Sequence, residues 1–118
     1  MRKFPFIQQH DSMQCGSTCL QMILKYYGKN FTSDYLNDLC GVSKDGVSLL
    51  GISGVANQLG MHSICGRVTL EKLSKEAPLP CIIHWNQNHF VVLYKVKGNK
   101  TGERKYDIAD PGNGLFIF

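Results

Sequence analysis

The sequence predicts an α+β fold in which an N-terminal helical half packs on a C-terminal antiparallel sheet. As far as Gly60, apolar residues recur every three or four positions, which is the spacing of amphipathic helices. From Cys81 onward, runs rich in Val, Ile, Phe and Tyr alternate with turn signals, as antiparallel strands do. Helices followed by strands indicate an α+β domain. The 118 residues suffice for one core, without repeats or linkers, so residues 1–118 are expected to form a single domain.

Three helices are predicted in the N-terminal half, each with residues suited to its ends. A serine or threonine before a helix can accept a hydrogen bond from its first turn, and a glycine after it can take the left-handed conformation. Before the first helix, Pro5 favours an extended lead-in over residues 2–7. The predicted helices are Cys15–Tyr27, a short helix that begins at Thr32 or Ser33 and stops at Gly41, and a third from Ser48 to Leu59.

The second half is predicted to be mostly strands. The expected elements are a strand at Met61–Val68, a short helix at Thr69–Lys75, and strands at Cys81–Trp85, His89–Val96 and Glu103–Ala109. Gly98 to Gly102 is a turn signal, which predicts a hairpin between the last two strands. The last four residues, Leu115–Phe118, form an apolar, strand-like tail, so the sequence is expected to be a domain of a longer protein.

Composition excludes several classes of function. The net charge is +4, but the local excess of basic residues between Lys95 and Lys105 is typical of a solvated turn and too small for nucleic-acid binding. Five cysteines, several in apolar surroundings, indicate a reducing compartment. Neither a signal peptide nor an apolar run long enough to cross a bilayer is present, so a soluble, cytosolic domain is expected.

Cys15 lies where a polar loop becomes the first predicted helix. The unpaired N–H groups and the positive end of the helix dipole favour negative charge there, which is the environment of a nucleophilic thiolate. If the hairpin turn centres near Lys100, paired residues have numbers that sum to about 200, so His89 should lie opposite Pro111 or Asp110. The sequence therefore predicts a histidine and a carboxylate side by side.

Together these residues supply the parts of a Cys-His-Asp nucleophilic site. Gln9, six residues before Cys15, could donate to an oxyanion together with the Cys15 backbone N–H. Each residue also has a structural interpretation: a packed cysteine, a polar strand residue and an Asp-Pro strand terminator. His84 is an alternative base, although its apolar run favours a place in the core or the site wall, and Asp11 is better suited to capping the helix start.

The local sequences resemble one family closely: the papain-like, bacteriocin-processing cysteine peptidase domain at the N-terminus of peptide-exporting ABC transporters. The matching stretches are Gln9–Gly16, Cys19–Ile23, Tyr26–Gly28, Gly46–Ile52, Leu59–Gly60, Leu79–Trp85, His89–Val92 and Asp110–Gly114. The resemblance implies cleavage of leader peptides after a double glycine, with Cys15 as nucleophile, His89 as base, Asp110 as orienting acid and Gln9 as oxyanion donor.

The resemblance also implies partners and a location. The expected partners are the leader peptide and the membrane and nucleotide-binding domains of the same transporter, at the cytoplasmic face of the membrane, with ATP bound only outside this chain. The alternative is a docking domain that recruits export substrates without cutting them. No cofactor and no metal are expected, because Cys15, Cys19, His84 and His89 lack the compact spacing of a zinc site.

Overall fold

A computed structural model describes residues 3–42, 46–85, 89–98 and 102–118 of the chain. The elements are a 3-10 turn at Ser12–Gln14, helices α1 (Cys15–Tyr26), α2 (Ser33–Cys40), α3 (Leu49–Gln58) and α4 (Leu70–Glu76), and strands β1 (Cys81–Trp85), β2 (His89–Gly98), β3 (Arg104–Asp110) and β4 (Gly114–Ile117). The strands form one antiparallel sheet in the order β1-β2-β3-β4. A helical half followed by an antiparallel sheet is the arrangement that the sequence predicts.

The predicted caps Thr32 and Ser48 begin α2 and α3, and Thr69, predicted as the first residue of its helix, caps that helix instead. Thr32, Ser48 and Thr69 lie immediately before α2, α3 and α4, and each side-chain oxygen accepts a hydrogen bond from a backbone N–H in the first turn, at 3.0–3.2 Å. Gly41 closes α2 with φ of 64°, a conformation that favours glycine. Hydrogen bonds between residues close in sequence therefore define where these helices begin.

The predicted strand at Met61–Val68 is wrong, because residues 61–69 belong to neither helix nor strand. Side-chain hydrogen bonds tie this segment to α3 instead: the Ser63 backbone N–H donates to Asn57 Oδ1 at 3.1 Å, and the hydroxyls of Ser63 and Ser53 lie 2.6 Å apart. Ile64 is 87% exposed and Val68 is also exposed, whereas Met61 at the start of the segment packs against the core, so the apolar residues of this segment do not form one buried strand face.

The β2–β3 pairing is displaced by one to two residues from the prediction. Val92 pairs with Ala109 rather than with Ile108, and Gly98 pairs with Arg104. The displacement is two residues at Gly98 and one residue at Val92, and an irregularity between Leu93 and Lys95, where one residue of β2 has no partner on β3, accounts for the difference. The turn near Lys100, on which the prediction depended, lies outside the described residues.

The sheet has an apolar cluster on each face. On the α1 face, buried residues of α1, α2 and α3 pack against Phe90, Val92 and Ala109. On the other face, buried side chains of β2 and β3 pack against residues that include Leu73 of α4. The C-terminal tail, predicted to be strand-like, pairs with β3 as β4. Over the described ranges, no helix combines the length and the apolar character needed to cross a membrane.

Candidate active site

Cys15 is the first residue of α1, and its side chain is buried, with 5% of the residue exposed. The 3-10 turn before it is capped by Asp11, whose Oδ1 accepts a hydrogen bond from the Met13 backbone N–H at 2.9 Å. The structural role predicted for Asp11 is thus confirmed. The cap directs the chain into α1, so that Cys15 lies at the positive end of the helix dipole.

Gly16 brings the start of α1 against the start of β2. A Cβ atom on Gly16 would lie 2.7 Å from Cγ1 of Val47, 2.9 Å from Cδ1 of Ile52 and 3.3 Å from Cδ2 of Phe90. Only a residue without a side chain allows this approach. Because Gly16 follows Cys15 and Phe90 follows His89, this contact places the cysteine and the histidine on adjoining segments.

His89 and Asp110 form the polar centre of the site, with 2.6 Å between Nε2 of His89 and Oδ1 of Asp110. The Asp110 carboxylate also accepts hydrogen bonds from the Gly112 backbone N–H, at 2.9 Å on Oδ1, and from Asn113 Nδ2, at 3.0 Å on Oδ2. The predicted juxtaposition of His89 and Asp110 is therefore confirmed, although the strand register that predicted it is displaced.

Hydrogen bonding keeps Asp110 ionised despite its burial. Burial acts to raise the pKa of the Asp110 carboxyl, but the hydrogen bonds from Asn113, His89 and Gly112, together with the charge of His89, outweigh it and hold the pKa below its ordinary value. A carboxylate in this state can fix the orientation of the imidazole and stabilise its protonated form.

Gln9 lies beside the same carboxylate. Its backbone N–H donates to the Pro111 carbonyl oxygen at 2.9 Å, and its side-chain Nε2 donates to the Asp11 carbonyl oxygen at 2.9 Å. The other amide atom, Oε1, is buried without a hydrogen-bond partner among the described residues. The segment before α1 is thus attached to the segment after β3, and the Gln9 amide lies at this junction.

His84 occupies a different place from His89. Its ring stacks on the ring of Phe90, with 4.7 Å between centroids and 18° between planes. The side chain is exposed rather than part of the core. The hydrogen bond to Asp110 is made by His89, so the geometry favours His89 as the base.

The other cysteines differ from Cys15 in their surroundings. Cys19, one turn after Cys15 on α1, is fully buried, and its pKa is raised mainly by burial and further by its interactions with Cys15 and Asp110. Burial also raises the pKa of Cys40, and that of Cys81 to about 11. Across the described ranges, no three His, Cys, Asp or Glu side chains are grouped to hold a metal ion.

Sequence reasoning missed two contacts of the site. Asn113 binds Asp110, and Gln8 Nε2 donates to the Gly112 carbonyl oxygen at 3.2 Å. The sequence Asp110–Gly114 carried a signal for the first contact, because Asp and Asn side chains in turns commonly bond to nearby groups. Nothing local to Gln8 indicates a bond to a residue more than a hundred positions away.

Comparison with known proteins decides the family. Residues 3–117 match the sequence pattern of the peptidase C39 family. The chain belongs to the peptidase C39 family. Members of this family are cysteine peptidases of the papain-like clan.

Curated relatives within the C39 family are much longer than this chain. The chain is 40% identical over 114 residues to the colicin V secretion/processing ATP-binding protein of Escherichia coli, a match that covers 97% of this chain and 16% of that protein. It is 38% identical to the lactococcin-G-processing and transport ATP-binding protein of Lactococcus lactis, covering 92% of this chain and 15% of that protein. The chain thus spans about a sixth of the length of these relatives.

Two solved structures have the same fold as this C39 domain. A double glycine motif protease from an AMS/PCAT transporter, in complex with the leader peptide, has a TM-score of 0.91 and 40% identity, covering 98% of this chain and 79% of that one. The peptidase domain of Streptococcus ComA, a bifunctional ABC transporter, has a TM-score of 0.86 and 25% identity, covering 98% of this chain and 86% of that one. The papain-like peptidase fold predicted from the sequence is therefore confirmed.

Proposed function

We propose that this domain is a cysteine endopeptidase that cleaves leader peptides after a Gly-Gly motif, coupled to export of the released peptide. The names of the relatives support this reaction class, since they combine processing with secretion or transport. The solved neighbour with 40% identity is itself a double glycine motif protease bound to a leader peptide.

In the proposed mechanism, His89 takes the thiol proton of Cys15, and the Cys15 thiolate attacks the carbonyl carbon of the second glycine. The Nε2 bond to Asp110 leaves Nδ1 of His89 to carry this proton. The imidazolium then protonates the leaving amine as the C–N bond breaks, which gives a thioester. A water molecule, deprotonated by His89, attacks the thioester and releases the leader acid and the Cys15 thiol.

The negative oxygen formed in each attack needs hydrogen-bond donors. In the proposed site these are the Cys15 backbone N–H, at the start of α1, and the side-chain amide of Gln9. Nε2 of Gln9 has two hydrogens, and the bond to the Asp11 carbonyl uses one of them. The second is available for the oxyanion.

One observation carries the proposal. His89 makes a 2.6 Å bond to Asp110, and the start of β2, which carries His89, packs on the start of α1. The contact of Gly16 with Phe90 fixes this arrangement. A thiol at a helix N-terminus, an imidazole and an ionised carboxylate on adjoining segments are suited to acyl transfer, and to no other common reaction class as directly.

The leader is proposed to bind as an amphipathic helix, with its glycines in a cleft too narrow for side chains. The apolar residues Tyr35, Leu36 and Leu50 on α2 and α3 are suited either to packing in the core or to an apolar groove for the leader. Leu36 is fully buried in the core and cannot contribute, whereas Leu50 is 75% exposed and Tyr35 is also exposed. Only the latter two remain candidates.

The wider context is part of the same proposal. The domain would belong to a transporter with membrane and nucleotide-binding domains, at the cytoplasmic face of the membrane, and ATP would bind outside this chain. The names of the relatives support this, because each name describes an ATP-binding protein with a role in secretion or transport.

The test is cleavage of a synthetic leader peptide that contains Gly-Gly followed by several cargo residues, analysed by mass spectrometry. We expect a single cut after the second glycine, loss of product with Cys15→Ala, and normal product with the control Cys40→Ala, since Cys40 is the last residue of α2 and has no role in the proposed mechanism. A peptide with Ala-Ala in place of Gly-Gly should resist cleavage. Cleavage by the Cys15→Ala variant would overturn the mechanism.

Alkylation separates a peptidase from a docking domain. A thiolate paired with His89 should react with iodoacetamide at about pH 6, whereas the raised pKa of Cys19, Cys40 and Cys81 keeps these thiols protonated and unreactive. Peptide mapping should therefore find the label on Cys15, and less of it in the His89→Ala variant. Leader binding without product and without labelling of Cys15 would favour the docking domain.

A further inference from the structure

The turn from Asp110 to Gly114, between β3 and β4, contains a group that the proposed mechanism does not use. Asn113 Nδ2 donates to Oδ2 of Asp110 at 3.0 Å, while Oδ1 accepts from His89 at 2.6 Å and from the Gly112 N–H at 2.9 Å. The two oxygens of the carboxylate are thus held by different donors. Among the described contacts, Asn113 is the donor to Oδ2.

A carboxylate held through one oxygen can still rotate about its Cβ–Cγ bond, and such rotation would move Oδ1 away from His89. A second donor on the other oxygen fixes the plane of the group. Terminal torsions of this kind are broad when nothing restrains them. The contact from Asn113 therefore controls an orientation that burial of Asp110 alone does not determine.

We infer that Asn113 is a positioning residue, which binds Oδ2 of Asp110 and so holds Oδ1 toward His89. This inference rests on the proposed role of His89 as the base. Asn113 is exposed on the surface of the turn, so its replacement leaves the buried core untouched.

The same turn also holds the segment that carries Gln9, through a separate set of bonds. Gln8 Nε2 donates to the Gly112 carbonyl oxygen at 3.2 Å, and the Gln9 N–H donates to the Pro111 carbonyl oxygen at 2.9 Å. A variant at Gln8 should therefore disturb the proposed oxyanion donor but not the Asp110 carboxylate. It provides a matched comparison for Asn113.

The distinguishing readout is pH dependence. The titratable groups near Asp110 are His89 on β2 and Cys19 on α1, with Cys15 one turn before Cys19. The Asn113 hydrogen bond is among the interactions that lower the pKa of Asp110 against the effect of burial. Its removal should raise that pKa, so the carboxylate should protonate, and release His89, at a higher pH than in the unaltered domain.

The experiment measures kcat/KM for the Gly-Gly leader peptide between about pH 2.5 and 8, because the pKa of Asp110 lies below its ordinary value. We expect Asn113→Leu to lower kcat/KM roughly three- to tenfold near neutral pH, less than the full effect of a hydrogen bond to a charged group, because Asn113 is exposed to water and acts on His89 only through Asp110. We also expect the acidic limb of its pH profile, where kcat/KM falls as the pH is lowered, to move to higher pH. Gln8→Ala should lower kcat without moving that limb, and Asn30→Leu, on the exposed α1–α2 loop, should change neither.

A second measurement does not depend on cleavage. Titration of the Asp110 side-chain carboxyl by carbon NMR in the unaltered domain and in Asn113→Leu reports the same change directly. If Asn113→Leu fails to fold, Asn113→Ala removes the donor without adding a charge beside Asp110, and should raise the pKa of Asp110 in the same direction.

The inference would be overturned if Asn113→Leu showed the same acidic limb of kcat/KM and the same pKa of Asp110 as the unaltered domain. Failure of the proposed function has a different outcome: no cleavage by the unaltered domain at any pH. In that case the NMR titration still decides whether Asn113 controls the state of Asp110.

Discussion

The two sides of the candidate site are held by different forces. On the α1 side, the residue after Cys15 is fixed by apolar contact, with Val47, Ile52 and Phe90 so close that Gly16 has no room for a methyl group. On the sheet side, Asp110 is fixed by hydrogen bonds from His89, Gly112 and Asn113. The α1 side should therefore respond to changes in volume and the sheet side to changes in pH.

The largest effect is expected from a cavity on the α1 side. Leu20 lies one turn after Gly16 and is 2% exposed, so Leu20→Ala should lower the free energy of unfolding by about 2–5 kcal/mol. The matched control is Leu50→Ala on the exposed face of α3, which should change it by less than about 0.5 kcal/mol. Urea titration measures both, and equal losses in the two variants would contradict the packing argument.

The next effect concerns the sheet side. Asp110→Asn keeps the size of the side chain but removes its charge and presents an amide N–H₂ to groups that are already donors. We expect a loss of about 1.5–3 kcal/mol in the free energy of unfolding at pH 7, the value of hydrogen bonds to a charged group. Asp38→Asn, on the exposed side of α2, should cost less than about 0.5 kcal/mol.

The pH dependence of this loss has a definite sign. The pKa of Asp110 is lower in the folded protein than its ordinary value, so the stability it contributes is present above about pH 4 and disappears as the pH falls through the folded pKa. The difference between the unaltered protein and Asp110→Asn should thus be larger at about pH 5 than at about pH 3 and shrink further as the pH falls. A difference that grows in acid would contradict the assigned direction.

The parts of the fold that the sequence predicted are those that local chemistry determines. Thr32 and Ser48 each cap the helix for which they were candidate caps, and Thr69 caps the helix that it was expected to begin, because a hydroxyl needs only the next turn of its own chain as a partner. The pairing of His89 with Asp110 was predictable for a related reason: a hairpin brings the ends of its two strands together whatever its exact register.

The errors arose where distant or irregular contacts decide the structure. Residues 61–69 alternate like a strand, but side-chain bonds from Ser53 and Asn57 hold them to α3. The irregularity next to Leu93 shifts the strand register and leaves no mark in the apolar pattern. The bond from Gln8 to Gly112 joins the two ends of the chain, and no local pattern encodes it.

A smaller effect is expected from the contact at Gly16. Gly16→Ala should lower the free energy of unfolding by about 1–3 kcal/mol, because Val47 and Ile52 would have to move. Gly54, within α3, has no atom within 4 Å of the position a Cβ would take, so Gly54→Ala should raise stability by about 0.5–1 kcal/mol. Thermal unfolding of the pair measures the contrast, and stabilisation by both substitutions would remove the argument for close packing beside Cys15.

The smallest effect connects the two sides. Ser48 Oγ accepts from the Gly51 N–H at 3.0 Å and begins α3, the helix that places Ile52 against Gly16. Ser48→Ala should cost about 1 kcal/mol in the free energy of unfolding, and Ser48→Asp should restore most of it at pH 7, since Asp is also a good cap.

Because a carboxylate cap loses its charge in acid, this rescue should fade below about pH 4, whereas the serine cap should not weaken. Urea titrations at pH 7 and pH 3 test this, and equal stability of the alanine and aspartate variants at pH 7 would exclude a capping role. A rescue that fades in acid would show that one substitution can make the stability of the α1 side depend on pH, as the stability of the sheet side does through Asp110.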